Sequence, residues 1–176
     1  MLDMIANALA PYYLYIKLIH LLSVMVWLFS TAVAYQYYLV PAFKAWRAAP
    51  DDDAVLAARN LAIERFDRGV ILEHYAFPII LVTGLTLWLI SGFGAANDWF
   101  LLKLLIIVLV FLPIEIADYH LSHFRGSKHQ YRVSGDVDEY ERNIRLHWRY
   151  LVTVTWPIMA SGLTVVALAV LKPQFT

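Results

Sequence analysis

The sequence predicts an all-α integral membrane protein, a four-helix bundle with short interfacial helices in its two long connections, and three observations predict it. Of 176 residues, 61% are hydrophobic and 16% charged, too little polar surface to wrap a water-soluble particle of this size. The apolar residues gather into four blocks, each near the ~20 residues that a helix needs to cross a ~30 Å hydrocarbon core. The basic residues collect in two of the connections between those blocks, as they do on one side of a membrane.

The first span runs from about Tyr12 to Val40, interrupted by Lys17, His20 and Gln36, and Pro41 is expected to stop it. Residues 1–11 contain no Lys or Arg and the apolar stretch is long, so it reads as a retained span rather than a signal peptide. Tyr12, Tyr13 and Tyr15 at one end and Tyr35, Tyr37 and Tyr38 at the other sit where aromatic belts are expected. In the segment that follows, Asp51, Asp52 and Asp53 supply N-cap carboxylates for a helix from Ala54 to Arg68, with Val55, Ala58, Ala62 and Phe66 at helical spacing. Such a helix is expected to lie at the headgroups, with Gly69 as a hinge.

The second span runs from about Val70 to Ile90, with Glu73 and His74 near its start. A Ser91-Gly92-Phe93-Gly94 turn leads to the third, Trp99 to about Tyr119, in which Pro113 predicts a kink. In the second long connection, Asp136 and Glu139 have the spacing of a capping box, opening a charged helix that continues through Arg149 into the fourth span, Tyr150 to Leu171. No internal repeat is present, and residues 1–176 read as a single transmembrane domain.

Pro41–Gly69 carries five basic residues (Lys44, Arg47, Arg59, Arg65, Arg68) and Leu121–Arg149 six (Arg125, Lys128, Arg132, Arg142, Arg145, Arg149), whereas the turn between spans two and three has none. Both termini are therefore expected on the outer, periplasmic side of a bacterial-type inner membrane, with the long connections in the cytoplasm. Fourteen Lys plus Arg balance 14 Asp plus Glu, which argues against a nucleic-acid partner and leaves the lipid bilayer as the implied one. The absence of cysteine excludes disulfides, thiolate-held zinc, iron–sulfur clusters, covalently attached haem and thiol nucleophiles. Redox chemistry would need a borrowed cofactor.

Ionisable residues inside spans carry the functional information, because each costs ~3 kcal/mol or more on insertion scales. Lys17, His20 and Lys103 fall in the outer half, Lys17 and His20 sharing a helix face. Glu73, His74 and His147 fall near the inner boundary, where the third span delivers Glu115, Asp118 and His120, with His123 a turn later. Lys17, Lys103 and Lys172 also read as snorkelling lysines, and His123, His129 and His147 as solvated histidines beside charged segments. Glu115 and Asp118 read equally as partners for arginines of the connections. His20 and His74 lie within spans, so each reads either as a hydrogen-bonded core residue or as a haem or metal ligand. His20 lies outward of the others, so joining it to His74 across one haem requires a deeper or tilted first span. Otherwise Met25 or Met159 would be the second ligand or the haem would be five-coordinate, and His74 with His120 could form a separate inner site.

Tyr15-Ile16-Lys17-Leu18-Ile19-His20-Leu21-Leu22-Ser23-Val24-Met25-Val26-Trp27 resembles the first span of HemJ-type membrane proteins, in which a lysine, a histidine three positions on and a later tryptophan recur. Pro78 with Thr83-Gly84-Leu85-Thr86-Leu87-Trp88-Leu89 is similar to that family's second span, Trp99 to Lys103-Leu104-Leu105 and Tyr119-His120 to its third, and Pro157 with Leu171-Lys172-Pro173 to its last. The membrane domain of CopD copper-resistance proteins shares the same kind of pattern. The resemblance covers the four spans and little of the long connections. It implies b-type haem bound through His20 and, in HemJ itself, oxidation of protoporphyrinogen IX to protoporphyrin IX; Lys17, Lys103 and His120 are the other matching positions. The sequence departs from the family after Trp27, where Leu28-Phe29-Ser30-Thr31-Ala32 replaces a small residue and Gly, and at Thr155-Trp156, where Asn-Glu usually stands.

Three functions follow as expectations. One is a haem-dependent oxidoreductase acting on a porphyrin substrate, with Lys17 and Lys103 gripping propionates. The second is a non-enzymatic subunit of a larger membrane complex or homo-oligomer, packing through Trp27, Trp88, Trp99 and Trp156. The third is a copper-handling protein using His20, Met25 and the inner acidic residues, although no clustered Met motif supports it.

Overall fold

A computed structural model of the chain describes residues 1–92, 97–124 and 128–174. Phe93 and Gly94 of the expected turn, and Arg125 of the second basic connection, lie outside the described residues. The described chain is helical almost throughout, with no β-strand among the described residues. Four helices are long and apolar enough to cross a membrane: Leu2–Ala48, Asp53–Ser91, the helix that starts at Asp98, and Val137–Leu171.

The first long helix is composite. Helix α1 (Leu2–Leu9) passes through a 3₁₀ turn at Ala10–Tyr12 into α2 (Tyr13–Ala34), and a π-turn at Tyr35–Leu39 leads into α3 (Val40–Ala48). Pro41 therefore does not stop the helix. A proline ring clashes with the carbonyl four residues back, but here the wider π-turn ends two positions earlier, with Val40 N–H reaching back to the Tyr35 carbonyl. The third long helix repeats the device: α6 (Asp98–Ile106), a π-turn at Ile107–Phe111, then α7 (Leu112–Tyr119) with Pro113 in its first turn. A further π-turn, His120–Phe124, follows α7.

Helix α4 (Asp53–Gly69) starts as its aspartates foretell, with the Asp52 carboxylate accepting from Ala54 N–H at 2.8 Å and Val55 N–H at 3.2 Å. Only Val70 separates it from α5 (Ile71–Ser91), which ends on Gly92 in the left-handed region (φ 65°). After α8 (Lys128–Ser134), Asp136 caps α9 (Val137–Leu171) by accepting from Glu139 N–H. The 35 residues of α9 span roughly 52 Å, so its charged first half extends past any ~30 Å core.

The N-terminal half of α9 and α4 do not have the form expected of headgroup-lying helices. They pack with α3 into the largest apolar cluster of the molecule, built on Leu39, Phe43, Ile63, Phe66, Tyr140, Ile144 and Leu151. The buried face of α4 is Arg59, Ile63, Glu64 and Phe66, turned from the Val55–Ala58–Ala62 stripe by ionic partners that apolar periodicity does not register. Arg59 is fully buried, stacked 4.5 Å over the Trp46 ring and hydrogen-bonded to Asn60 and Glu141. Glu64 accepts from Arg132 at 2.7 and 3.1 Å and from the Tyr140 hydroxyl at 3.0 Å.

Along the bundle, α2 packs closely on α5 and α6 on α9, whereas α5 and α7 leave a groove between them. Tyr13 at the start of α2 and Lys172 after α9 lie at one end, the termini end, where Trp99, Phe100 and Leu168 cluster; the described parts of the two long connections lie at the other. Large apolar side chains cover the outside, including Leu14, Leu72, Val82, Leu109 and Val170. Contiguous apolar surface of that kind suits a lipid surround.

Burial opposes ionisation of Glu64, but the Arg132 guanidinium and the Tyr140 hydroxyl outweigh it and hold the carboxyl below its ordinary value of 4.5. A depressed folded-state value means that this contribution to stability is complete above pH 4.5 and is lost as pH falls through the lower folded value. Thermal unfolding in detergent should therefore show Glu64→Gln less stable than wild type at neutral pH, with the difference shrinking only below pH 4.5.

Candidate functional site

The candidate residues resolve into two sites at opposite ends of the bundle. The first is a cavity of about 240 Å³ at the termini end, enclosed by α2, α5, α6 and α9. His20 lines it, with Trp27 and Phe111 toward its depth and Lys17, Lys103 and Lys172 among its other walls. The His20 ring is held in one orientation. Thr83 Oγ1 donates to the Ile79 carbonyl at 2.5 Å, so it must accept from His20 Nδ1–H at 2.9 Å, which leaves the Nε2 lone pair available. Gly84 makes the room, since a Cβ there would stand 3.2 Å from His20 Cε1.

Trp27 forms the link between the two sites. Its ring packs against Phe77 and Phe111, and its indole N–H donates to Glu115 Oε1 at 2.5 Å. Beneath it lies a 40 Å³ pocket lined by Thr31, Glu73, Glu115, Asp118 and Tyr150, among others. Thr31 Oγ1, Glu73 Oε2 and Asp118 Oδ1 are buried there without a protein hydrogen-bond partner. Polar atoms of this kind recruit water, and the pocket exceeds the ~10–15 Å³ that one molecule needs.

The second site is a chain of ionisable side chains at the connection end. Asp118 stands between two imidazoles: His74 Nε2–H donates to its Oδ2 at 3.0 Å, and His147 Nε2 faces its Oδ1 at 3.5 Å. His147 Nδ1 accepts from Lys128 Nζ at 2.8 Å, and Lys128 also donates to Asp67 Oδ2 at 2.6 Å. On the other side, His74 Nδ1 accepts from His123 Nε2–H at 2.9 Å. The π-turn makes this meeting feasible. In an α-helix, residues five apart such as Asp118 and His123 stand about 140° apart around the axis, and the wider turn narrows that angle.

Several expectations change in this geometry. His147 is fully buried rather than solvated, and Asp118 and Glu115 pair with imidazoles and an indole rather than with arginines. Both His74 ring nitrogens have protein partners, and His123, not His120, is the imidazole that meets it; His120 is exposed. His20 and His74 line different cavities and do not face one another across a common space. Met25 is 56% exposed, and Met159 lines the small pocket under Trp27, so neither joins His20. No group of three or more His, Asp and Glu suited to a metal ion occurs among the described residues.

Lys17, His20 and Lys103 do come together on one cavity. Lys128, Asp67 and Thr83 join the candidate residues only through these contacts. A signal for His147 existed: Tyr140, Ile144, His147 and Leu151 recur at helical spacing, which places this histidine on the buried stripe of α9. Comparison with protein-family models, curated proteins and solved structures returned no match.

Lys128→Met should leave the half-buried Asp67 carboxylate without its cation, with only the His147 ring beside it, at a cost of about 3 kcal/mol. In denaturant unfolding from detergent, the double change Asp67→Leu with Lys128→Met should recover more than half of that loss.

Proposed function

We propose that the protein is a multi-pass membrane protein, with both termini on the outer face of a bacterial-type inner membrane, that binds b-type haem through His20. The observation that carries this reading is the His20 ring itself, whose Nδ1–H is committed to Thr83 while Nε2 stays unprotonated beside a cavity. Histidines that ligate metals characteristically donate their other ring N–H to an oxygen in this manner. The resemblance of the first span to HemJ-type proteins points to the same residue.

The remaining walls suit a tetrapyrrole in chemistry more readily than in size. Trp27, Phe77 and Phe111 give an apolar, aromatic floor, Gly84 lets the ring plane approach His20, and three lysines supply cations for propionates. At 240 Å³ the cavity is below the ~300–1,000 Å³ of typical ligand pockets, so the group would extend through the mouth. Lys17, Lys103 and Lys172, which line the cavity, would be the residues to hold its carboxylates. Bound haem would supply one-electron redox chemistry. This chain's own part is to fix the imidazole, exclude water with the aromatic floor and anchor carboxylates.

The visible spectrum of detergent-purified protein tests this reading. A Soret band with α and β bands on reduction should be present, absent in His20→Ala and diminished in Gly84→Leu, whose side chain would displace the imidazole. Colourless protein from cells supplied with haem would refute it. Oxidation of protoporphyrinogen by the haem-loaded protein is a separate proposal, resting on the family resemblance alone. It fails if the haem-loaded protein leaves protoporphyrinogen unoxidised.

A further inference from the structure

The groove between α5 and α7 lies apart from the His20 cavity and has a different chemistry. It measures about 650 Å³, within the ~300–1,000 Å³ range of ligand pockets, and it is flanked by Tyr75 and Ile116, which are 69% and 62% exposed on the outside of the bundle. A side opening of this kind admits a ligand from the bilayer. Its length is apolar, with Phe77, Pro78 and Leu81 among the walls.

At its connection end three rings form a corner. His74 meets Tyr119 at 5.2 Å and 84°, His74 meets His123 at 4.9 Å and 75°, and Tyr119 meets His123 at 5.1 Å and 64°. The hydrogen bonds fix which nitrogens can act there. Asp118 accepts from His74 Nε2–H, so His74 Nδ1 accepts from His123 Nε2–H, and His123 Nδ1 is left as a lone pair with no partner among the described residues. The groove therefore offers an apolar slot, an aromatic corner and a hydrogen-bond acceptor, beside the Glu115 carboxyl.

We infer that this groove binds the ring of a membrane hydroquinone, with a ring hydroxyl donating to His123 Nδ1 and the apolar tail leaving past Ile116 into the lipid. A ring hydroxyl is a donor, which the corner requires. A phospholipid headgroup would bring a phosphate, an acceptor and an anion, toward His123 Nδ1 and the carboxyls of Glu115 and Asp118. The oxidised quinone carbonyl is likewise an acceptor, so the site selects the reduced form. The inference goes beyond the haem reading and stands whether or not the His20 cavity takes haem.

The test uses the full-length protein in lipid nanodiscs and a short-tailed benzohydroquinone kept reduced, with binding measured by equilibrium dialysis against empty nanodiscs. Saturable binding above the empty discs is expected. It should weaken roughly tenfold or more for the oxidised quinone and for His123→Phe, each of which loses one hydrogen bond. Ile116→Trp, a change at an exposed position that leaves the core intact, should fill the groove and abolish binding. Uptake no greater than by empty discs, equal binding of both redox forms, or unchanged binding in Ile116→Trp would overturn the inference.

Discussion

The position of Asp118 between two imidazoles is the constraint on which the arrangement of the long helices depends. Apolar helices gain little from packing against one another in lipid, because hydrocarbon tails are as apolar as leucine. What fixes their register is polar contact in the interior. Asp118 on α7 holds His74 of α5 and faces His147 of α9, while Glu115, one turn earlier, takes the indole N–H of Trp27 on α2. One turn of α7 thus touches all three of the other long helices.

The same contacts orient the side chains that can act on a ligand. The ring protons of His20 and His74 are each committed to an oxygen, and the chemistry available depends on which nitrogen carries them. Thr83 takes the Nδ1 proton of His20 and Asp118 takes the Nε2 proton of His74. Because His74 Nδ1 accepts from His123 Nε2–H, the two sites present different nitrogens of the same side chain type: the bare Nε2 of His20 in an aromatic, lysine-lined cavity and the bare Nδ1 of His123 in an apolar groove. Trp27 joins them physically, as floor of the first and hydrogen-bond partner of the carboxyl beside the second.

The helical class and the four long apolar helices were legible in composition and block length, because both depend on local apolar content alone. Both caps, Asp52 and Asp136, were legible too, since a cap is a contact within one turn. The path of Pro41 was not, because a π-turn absorbs the ring without leaving a pattern in side-chain polarity. The convergence of Lys17, His20 and Lys103 followed from depth along antiparallel spans. The pairing of Lys128 with Asp67 and His147 did not, because it joins three segments remote in sequence and lies where charge reads as solvated surface.

The central claim is that interior hydrogen bonds set the imidazole tautomers, and nitrogen-15 NMR of histidine-labelled protein in nanodiscs, with single-histidine substitutions for assignment, tests it most directly. His20 should carry its ring proton on Nδ1, and His74 and His147 theirs on Nε2. A His20 protonated on Nε2, or a His74 protonated on Nδ1 alone, would contradict the account.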